Sequence, residues 1–146
     1  MTINFSRKSD YESIYLLLQE CNEDFYPPLN KRIKLSYFAE KIINNAITFC
    51  AHDSHKLVGL ISCYYNNGSY GFINHVSVHS EYKGLGIAKT LMNMCVDYAI
   101  DNFYSIIILK VFSENEAAIK LYTKLGFKII EDDSDYLVMI RVIDLE

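Results

Sequence analysis

The chain has 146 residues, 51% of them apolar, and a formal net charge of −4, which suits one globular domain spanning residues 1–146. No dense Lys/Arg stripe is present, which weighs against a general nucleic-acid binder. No apolar run approaches the ~18 residues that cross a bilayer, and MTINFSRKSD lacks the plan of a signal peptide, so a cytoplasmic location and no membrane partner are expected.

In chain order, Ile3 to Phe5 reads as a short strand, and Ser9 or Asp10 can cap a helix over Tyr11 to Asn22. Ile14, Leu17, Leu18 and Cys21 form its apolar stripe. The segment NEDFYPPLN then interrupts the pattern, because Pro27-Pro28 cannot continue a helix. Phe25 and Tyr26 beside it offer rigid aromatic surface, either to plug the core edge or to wall a substrate pocket. Leu35 to Asn45 predicts a second helix with Leu35, Phe38, Ala39, Ile42 and Ile43 inward. Thr48 to His52, Leu57 to Tyr65 and Tyr70 to His79 read as antiparallel strands, the last two joined by the hairpin signal Asn66-Asn67-Gly68.

Beyond this point the pattern becomes strand, helix, strand, helix, strand. Ile73 to His79 is β-branched, with Val76 and Val78 on one face and His75 and Ser77 on the other. A turn with Gly84 and Gly86 follows, and from Gly86 onward Ile87, Leu91, Met94, Cys95 and Tyr98 recur at helical spacing. The first turn of a helix carries unpaired N–H groups and the positive end of a dipole. Small residues at Gly84, Gly86 and Ala88, with Lys83 and Lys89, therefore make Lys83–Lys89 either a pyrophosphate cradle or a plain helix-starting turn. A dinucleotide fingerprint would need Gly or Ala at Lys89, and a P-loop would need Gly at Ala88 and Lys83, so neither fits.

Ser105 to Phe112 is a nearly continuous apolar run, expected for a strand covered on both faces. Ser113 and Glu116 form a capping box for a helix that runs to Lys124 and ends at Gly126. Phe127 to Glu131 and Tyr136 to Val142 close the chain as an antiparallel pair. In the segment from Asn115 to Phe127, Ala118, Leu121, Tyr122 and Leu125 share one helix face, so Tyr122 points inward, as a core tyrosine or a functional one.

Lys83-Gly84-Leu85-Gly86-Ile87-Ala88 resembles the acyl-CoA signature of the GNAT superfamily of N-acetyltransferases, with Lys83 where the family has Arg or Gln. Val76-Ser77-Val78 resembles that family's central strand, whose backbone pairs with the pantetheine arm. The Asn115…Ala118…Leu121-Tyr122…Gly126-Phe127 spacing resembles the segment after its fifth strand, where the Asn contacts the cofactor and the Tyr hydroxyl lies near its sulfur. The resemblance covers about half the chain, from Leu57 to Phe127.

It implies an α/β (α+β) fold, with a mixed, mostly antiparallel sheet of six to seven strands flanked by four helices, its central strands splayed to admit acetyl-CoA. It implies direct acetyl transfer from acetyl-CoA to an amine of a small molecule or peptide. Cofactor contacts are expected from Val76, Ser77, Val78, Lys83, Gly84, Leu85, Gly86, Ile87, Ala88, Lys89, Asn115, Ala118 and Tyr122, and acceptor contacts from Phe25 and Tyr26. Tyr122 is the candidate general acid. The acidic residue that relatives often carry before the Val-x-Val segment is replaced by Asn74-His75. His75, with an intrinsic pKa near 6.5, is one candidate base, and Glu23, Asp24 or a water chain are others. A non-catalytic acyl-CoA sensor and an ordinary nucleotide-binding domain are the rival readings. The acidic net charge points mildly to cationic acceptors; a homodimer through Phe127 to Val142 is plausible, but no sequence feature supports it. Cys21, Cys50, Cys63 and Cys95 are spaced as reduced, buried thiols, and His75 and His79 lie about 13 Å apart on one strand, so no metal is expected.

Overall fold

The computed structural model describes residues 2–65 and 69–143. The Asn66-Asn67-Gly68 turn lies outside the described residues. Eleven elements follow in order: β1 (Ile3–Ser6), α1 (Tyr11–Glu20), α2 (Leu35–Asn45), β2 (Ile47–Asp53), β3 (Lys56–Tyr64), β4 (Gly71–Val78), α3 (Ile87–Asp101), β5 (Ile106–Phe112), α4 (Glu116–Lys124), β6 (Lys128–Asp132) and β7 (Tyr136–Val142). They form one seven-stranded sheet in the order β1-β2-β3-β4-β5-β7-β6, antiparallel throughout except at β4–β5. This is the mixed sheet with four helices that the sequence leads one to expect.

The core has two layers because β2 and β3 are apolar on both faces. Ile14, Leu17, Leu18, Phe38, Ala39 and Ile42 from α1 and α2 pack against Cys50, Leu57 and Leu60. On the opposite face, Leu91, Met92 and Cys95 of α3 meet Phe49, Val58 and Ile61, and this cluster extends across the sheet to Leu109 and Met139. Asp10 rather than Ser9 caps α1, its carboxylate accepting the Ser13 N–H at 2.7 Å. Ile43 does not turn inward as expected, being 40% exposed. All four cysteines are free and buried, and burial pushes the Cys21 and Cys50 thiols up to about 11. No helix among the described residues is long and apolar enough to cross a membrane.

The feature that positions the site lies between β4 and β5. These parallel strands pair only over Gly71–Ile107, Phe72–Ile108 and Ile73–Leu109, and then separate. A bulge in the β3–β4 ladder accompanies the separation: Cys63 faces Ile73 and Ser62 faces His75, leaving Asn74 as the extra residue. Bulges bend a strand and add local twist. Here the bulge also lets both Ile73 and Val76 face α3, while His75 turns to the other side between Phe25 and Phe38. The expected alternation of Val76 and Val78 against His75 and Ser77 is what the sheet displays.

β5 differs from expectation. Ile107, Leu109 and Val111 are buried under the α3–α4 layer, but on the other face Lys110 is exposed and Ile108 and Phe112 only half-buried. The helices of that face, α1 and α2, pack over β2 and β3. A continuous apolar run therefore did not mean two covered faces.

A cleft between diverging strands

The divergence of β4 and β5 opens a cavity of about 1280 Å³ through the middle of the sheet. Its walls come from β4, the turn into α3, α4, β5 and the segment between α1 and α2. The His79 N–H donates to the Val58 carbonyl at 2.8 Å. Main-chain groups alternate in direction along a strand, so those of Ser77 and His75 also face β3. Those of Val76 and Val78 turn to the side that β5 has left. A strand edge inside a sheet is an unmet demand for hydrogen bonds, and an amide-bearing chain laid in the cleft would meet it.

At the end of β4, Ser80–Tyr82 forms a 3-10 turn, and Gly84 and Gly86 both take left-handed backbone, at φ +81° and +78°. Gly86 is the N-cap of α3 and supplies no side chain to the helix. The Thr90 N–H, bonded to the Gly86 carbonyl at 3.0 Å, opens the intrahelical ladder, so the N–H groups of Ile87, Ala88 and Lys89 are left for an anion. A Cβ placed at Gly84 or Gly86 would meet no heavy atom within 4 Å. The space above the turn is open, and these glycines answer to backbone conformation rather than crowding. Gly59 does the opposite work beneath: a Cβ there would lie 2.7 Å from Ile87 Cγ2, so its absence lets the start of α3 sit against β3.

α4 forms the facing wall. The expected capping box is absent: Asn115 is the N-cap, its side-chain oxygen accepting the Ala118 N–H at 3.2 Å. Ser113 instead donates to the Ser134 carbonyl at 2.7 Å, tying this corner to the β6–β7 turn. The α4 C-terminus closes with the Phe127 N–H on the Tyr122 carbonyl at 3.0 Å and the Gly126 N–H on Thr123 at 3.1 Å, a Schellman arrangement. No residue of α4 is fully buried, because its inner face, with Ala118, Leu121, Tyr122 and Leu125, lines the cavity. The Tyr122 ring meets the edge of Phe127 at 6.1 Å. Its hydroxyl has no hydrogen-bond partner among the described residues, and burial pushes its pKa up to about 12.

The third wall is aromatic and basic. Phe25 stacks on His75 at 5.2 Å, Tyr26 meets Phe112 edge-on at 6.4 Å, and Tyr136 lies 4.5 Å from Phe112. The Arg32 guanidinium sits 5.3 Å over the Phe112 ring. Of the residues singled out from the sequence, all line the cavity except Leu85, which is 52% exposed outside it, and the candidate base Glu23. Arg32, Lys110, Phe112 and Asn74 were missed. Nothing local marks them, since Arg32 belongs to a polar connection and Phe112 to an apolar strand.

His75 departs from its expected chemistry. Its ring is buried, with Nε2 2.9 Å from Ser77 Oγ. Burial, and secondarily the Arg32 charge, lower its pKa to about 3, so it is neutral at pH 7 and a weak base. The sign of the resulting pH dependence is fixed. A pKa below the unfolded value of ~6.5 means that the unfolded chain binds the extra proton. Stability is then full above pH ~6.5 and falls as pH drops toward 3, by an upper limit of roughly 5 kcal/mol from this group. Melting curves between pH 7 and 4 should show the decline, and His75→Gln should flatten it. An unchanged slope in the variant would place the acid sensitivity elsewhere.

The profile of the acetyltransferase (GNAT) family matches residues 11–127, so the chain belongs to that family. Among relatives, N-acetylaspartate synthetase of Danio rerio is 38% identical over 64 residues, covering 44% of this chain and 23% of its own. The chain spans between 23% and 31% of the length of four such relatives. Among solved structures, PaiA N-acetyltransferase from Thermoplasma acidophilum in complex with coenzyme A superimposes with a TM-score of 0.86 at 20% identity, over 97% of this chain and 99% of that one, which shows the shared fold. A putative streptothricin acetyltransferase from Bacillus anthracis, in complex with acetyl coenzyme A, gives a TM-score of 0.64 at 26% identity, covering 72% and 68%.

Proposed function

We propose that this chain is an N-acetyltransferase that moves the acetyl group of acetyl-CoA directly to a primary amine of a small molecule or peptide. The observation that carries this reading is the free edge of Val76–Val78 beside a glycine-bounded helix start, with the Tyr122 hydroxyl across the cleft unpartnered among the described residues. Acetyl-CoA would supply a reactive thioester. The first-turn N–H groups of α3, with Lys89, would hold its pyrophosphate, and the Val76 and Val78 main chain would receive its amide-bearing arm. Tyr122 would donate a hydrogen bond where negative charge gathers on the departing sulfur.

His75 is proposed as a shaping residue of the acceptor wall rather than the base, because a group of pKa about 3 holds a proton too weakly. Asp24 is engaged by Lys83 at 3.4 Å, and Glu23, which accepts from Asn22 at 3.1 Å, does not line the cavity. The amine would therefore lose its proton to solvent as it enters, helped by the positive charge of Arg32 and Lys110, which disfavours an ammonium ion beside them.

Thermal unfolding with saturating acetyl-CoA, and separately with ATP and NAD, tests the reading. Ligand at a hundred times its dissociation constant stabilises by about 2.7 kcal/mol, which raises the midpoint of a domain of this size by roughly 5–10 °C. A shift with acetyl-CoA, followed by CoA release when amines are added, is expected. A larger shift with ATP would overturn the cofactor, and a shift without CoA release from any amine would leave an acyl-CoA-binding module.

A further inference from the structure

The acceptor half of the cleft carries a charge pattern opposite to that of the whole chain. The guanidinium of Arg32 lies over Phe112 of β5, and its charge is felt at His75 of β4, so it stands across the mouth where the strands part. Lys110 precedes Phe112 by two residues on the same face, about 7 Å along the strand, and is exposed within the cavity lining. Neither cation has a carboxylate partner among the described residues, whose ion pairs are Lys56–Glu20, His79–Glu20 and Lys83–Asp24. Asp24, the acidic residue of the lining, is the one already taken by Lys83. Asn74 lines the same wall. Its oxygen accepts from Ser62 at 2.7 Å, and its amide nitrogen is buried with no partner among the described residues.

We propose that the acceptor is an amine that carries a carboxylate within a few bonds of its nitrogen, and that Arg32 and Lys110 bind this carboxylate and set specificity. The inference rests on the acetyltransferase reading and names the acceptor class for the same site. A guanidinium seated over an aromatic ring by its Cζ still has N–H groups to offer a carboxylate. The charges of Arg32 and Lys110, neither in an ion pair among the described residues although Glu114 stands beside Tyr26 on this wall, repel a polyamine or a basic peptide terminus, against the expectation drawn from net charge. A free amino acid and a peptide with an acidic first residue present the same chemistry.

CoA release at saturating acetyl-CoA, followed with a thiol reagent, discriminates. The probes are phenylalanine against phenylalaninamide, the tetrapeptide amide Glu-Ala-Ala-Ala against Gln-Ala-Ala-Ala, and spermidine. The amide's less basic amine loses its proton more readily, so reactivity alone favours phenylalaninamide and any preference for the acid reports binding. In at least one pair the acid should show a kcat/KM about tenfold or more above its neutral partner, and the pair identifies the source. In the double variant Arg32→Gln, Lys110→Gln that ratio should fall to within about threefold, while the acetyl-CoA thermal shift shows the protein still folded and loaded. No preference in either pair, or spermidine as the best acceptor, would overturn the inference and leave the acetyltransferase reading standing. Absence of both CoA release and an acetyl-CoA shift would sink the two together.

Discussion

Replacement of Tyr122 by Phe is expected to lower kcat by roughly a hundredfold and to leave the dissociation constant for acetyl-CoA within about threefold. The variant removes one oxygen and keeps the ring against Phe127. Since the hydroxyl has no partner among the described residues, no internal hydrogen bond is broken and the melting temperature should hold. What disappears is a donor aimed into the cleft. With its pKa pushed up to about 12 by burial, Tyr122 stays protonated across the working range. A phenol this weak stabilises a leaving thiolate by donating a hydrogen bond, and a full proton would reach the sulfur from solvent later. The pH profile follows from the sign of the shift. A raised pKa extends the protonated form upward, so activity should climb with pH as the amine is freed and show no Tyr122-dependent fall below about pH 11. Equal turnover of wild type and Tyr122→Phe across that range would remove Tyr122 from the chemistry.

Gly86→Val should weaken acetyl-CoA binding by about tenfold or more while the protein still folds. The backbone at Gly86 is left-handed, at φ +78°, and a side chain there costs about 1–2 kcal/mol, most for a β-branched one. That corresponds to a loss of roughly 3–8 °C in melting temperature. No neighbour would be struck, since nothing lies within 4 Å of the added Cβ. The branched side chain would instead fill the open space over the α3 N-terminus and strain the turn that aims its N–H groups. Titration well below the melting temperature separates the two effects. Undiminished affinity in the folded variant would show that the phosphates of acetyl-CoA do not lie on this turn.

Much of this molecule is legible in short stretches of sequence. The apolar period of Leu35 to Asn45 predicts α2 to its observed ends, and alternation from His75 to Val78 assigns faces to that end of β4 correctly. The turn with Gly84 and Gly86 is where a strand passes into a helix. Local rules fail where two partners compete for one group. Ser113 suits an N-cap by spacing, yet its hydroxyl goes to Ser134 across the chain reversal, and Asn115 caps α4 instead. The apolar run of β5 promised cover on both faces, but a run cannot tell which helices will reach it, and α1 and α2 pack elsewhere.

The site divides along the same line. The sequence by itself determined most of the elements, the glycine turn that starts α3 and an inward Tyr122, because each follows from interactions among residues a few positions apart. Only the tertiary structure decided that β4 and β5 part after Ile73 and Leu109, since that depends on the bulge at Asn74 against a distant β3. It alone brought Arg32 over Phe112, from two segments that share no sequence signal. It also placed His75 where burial and a neighbouring charge lower its pKa, a property of the surroundings rather than of the imidazole. Periodicity reports on nearest neighbours along the chain, whereas desolvation and charge placement are sums over everything that packs around a group.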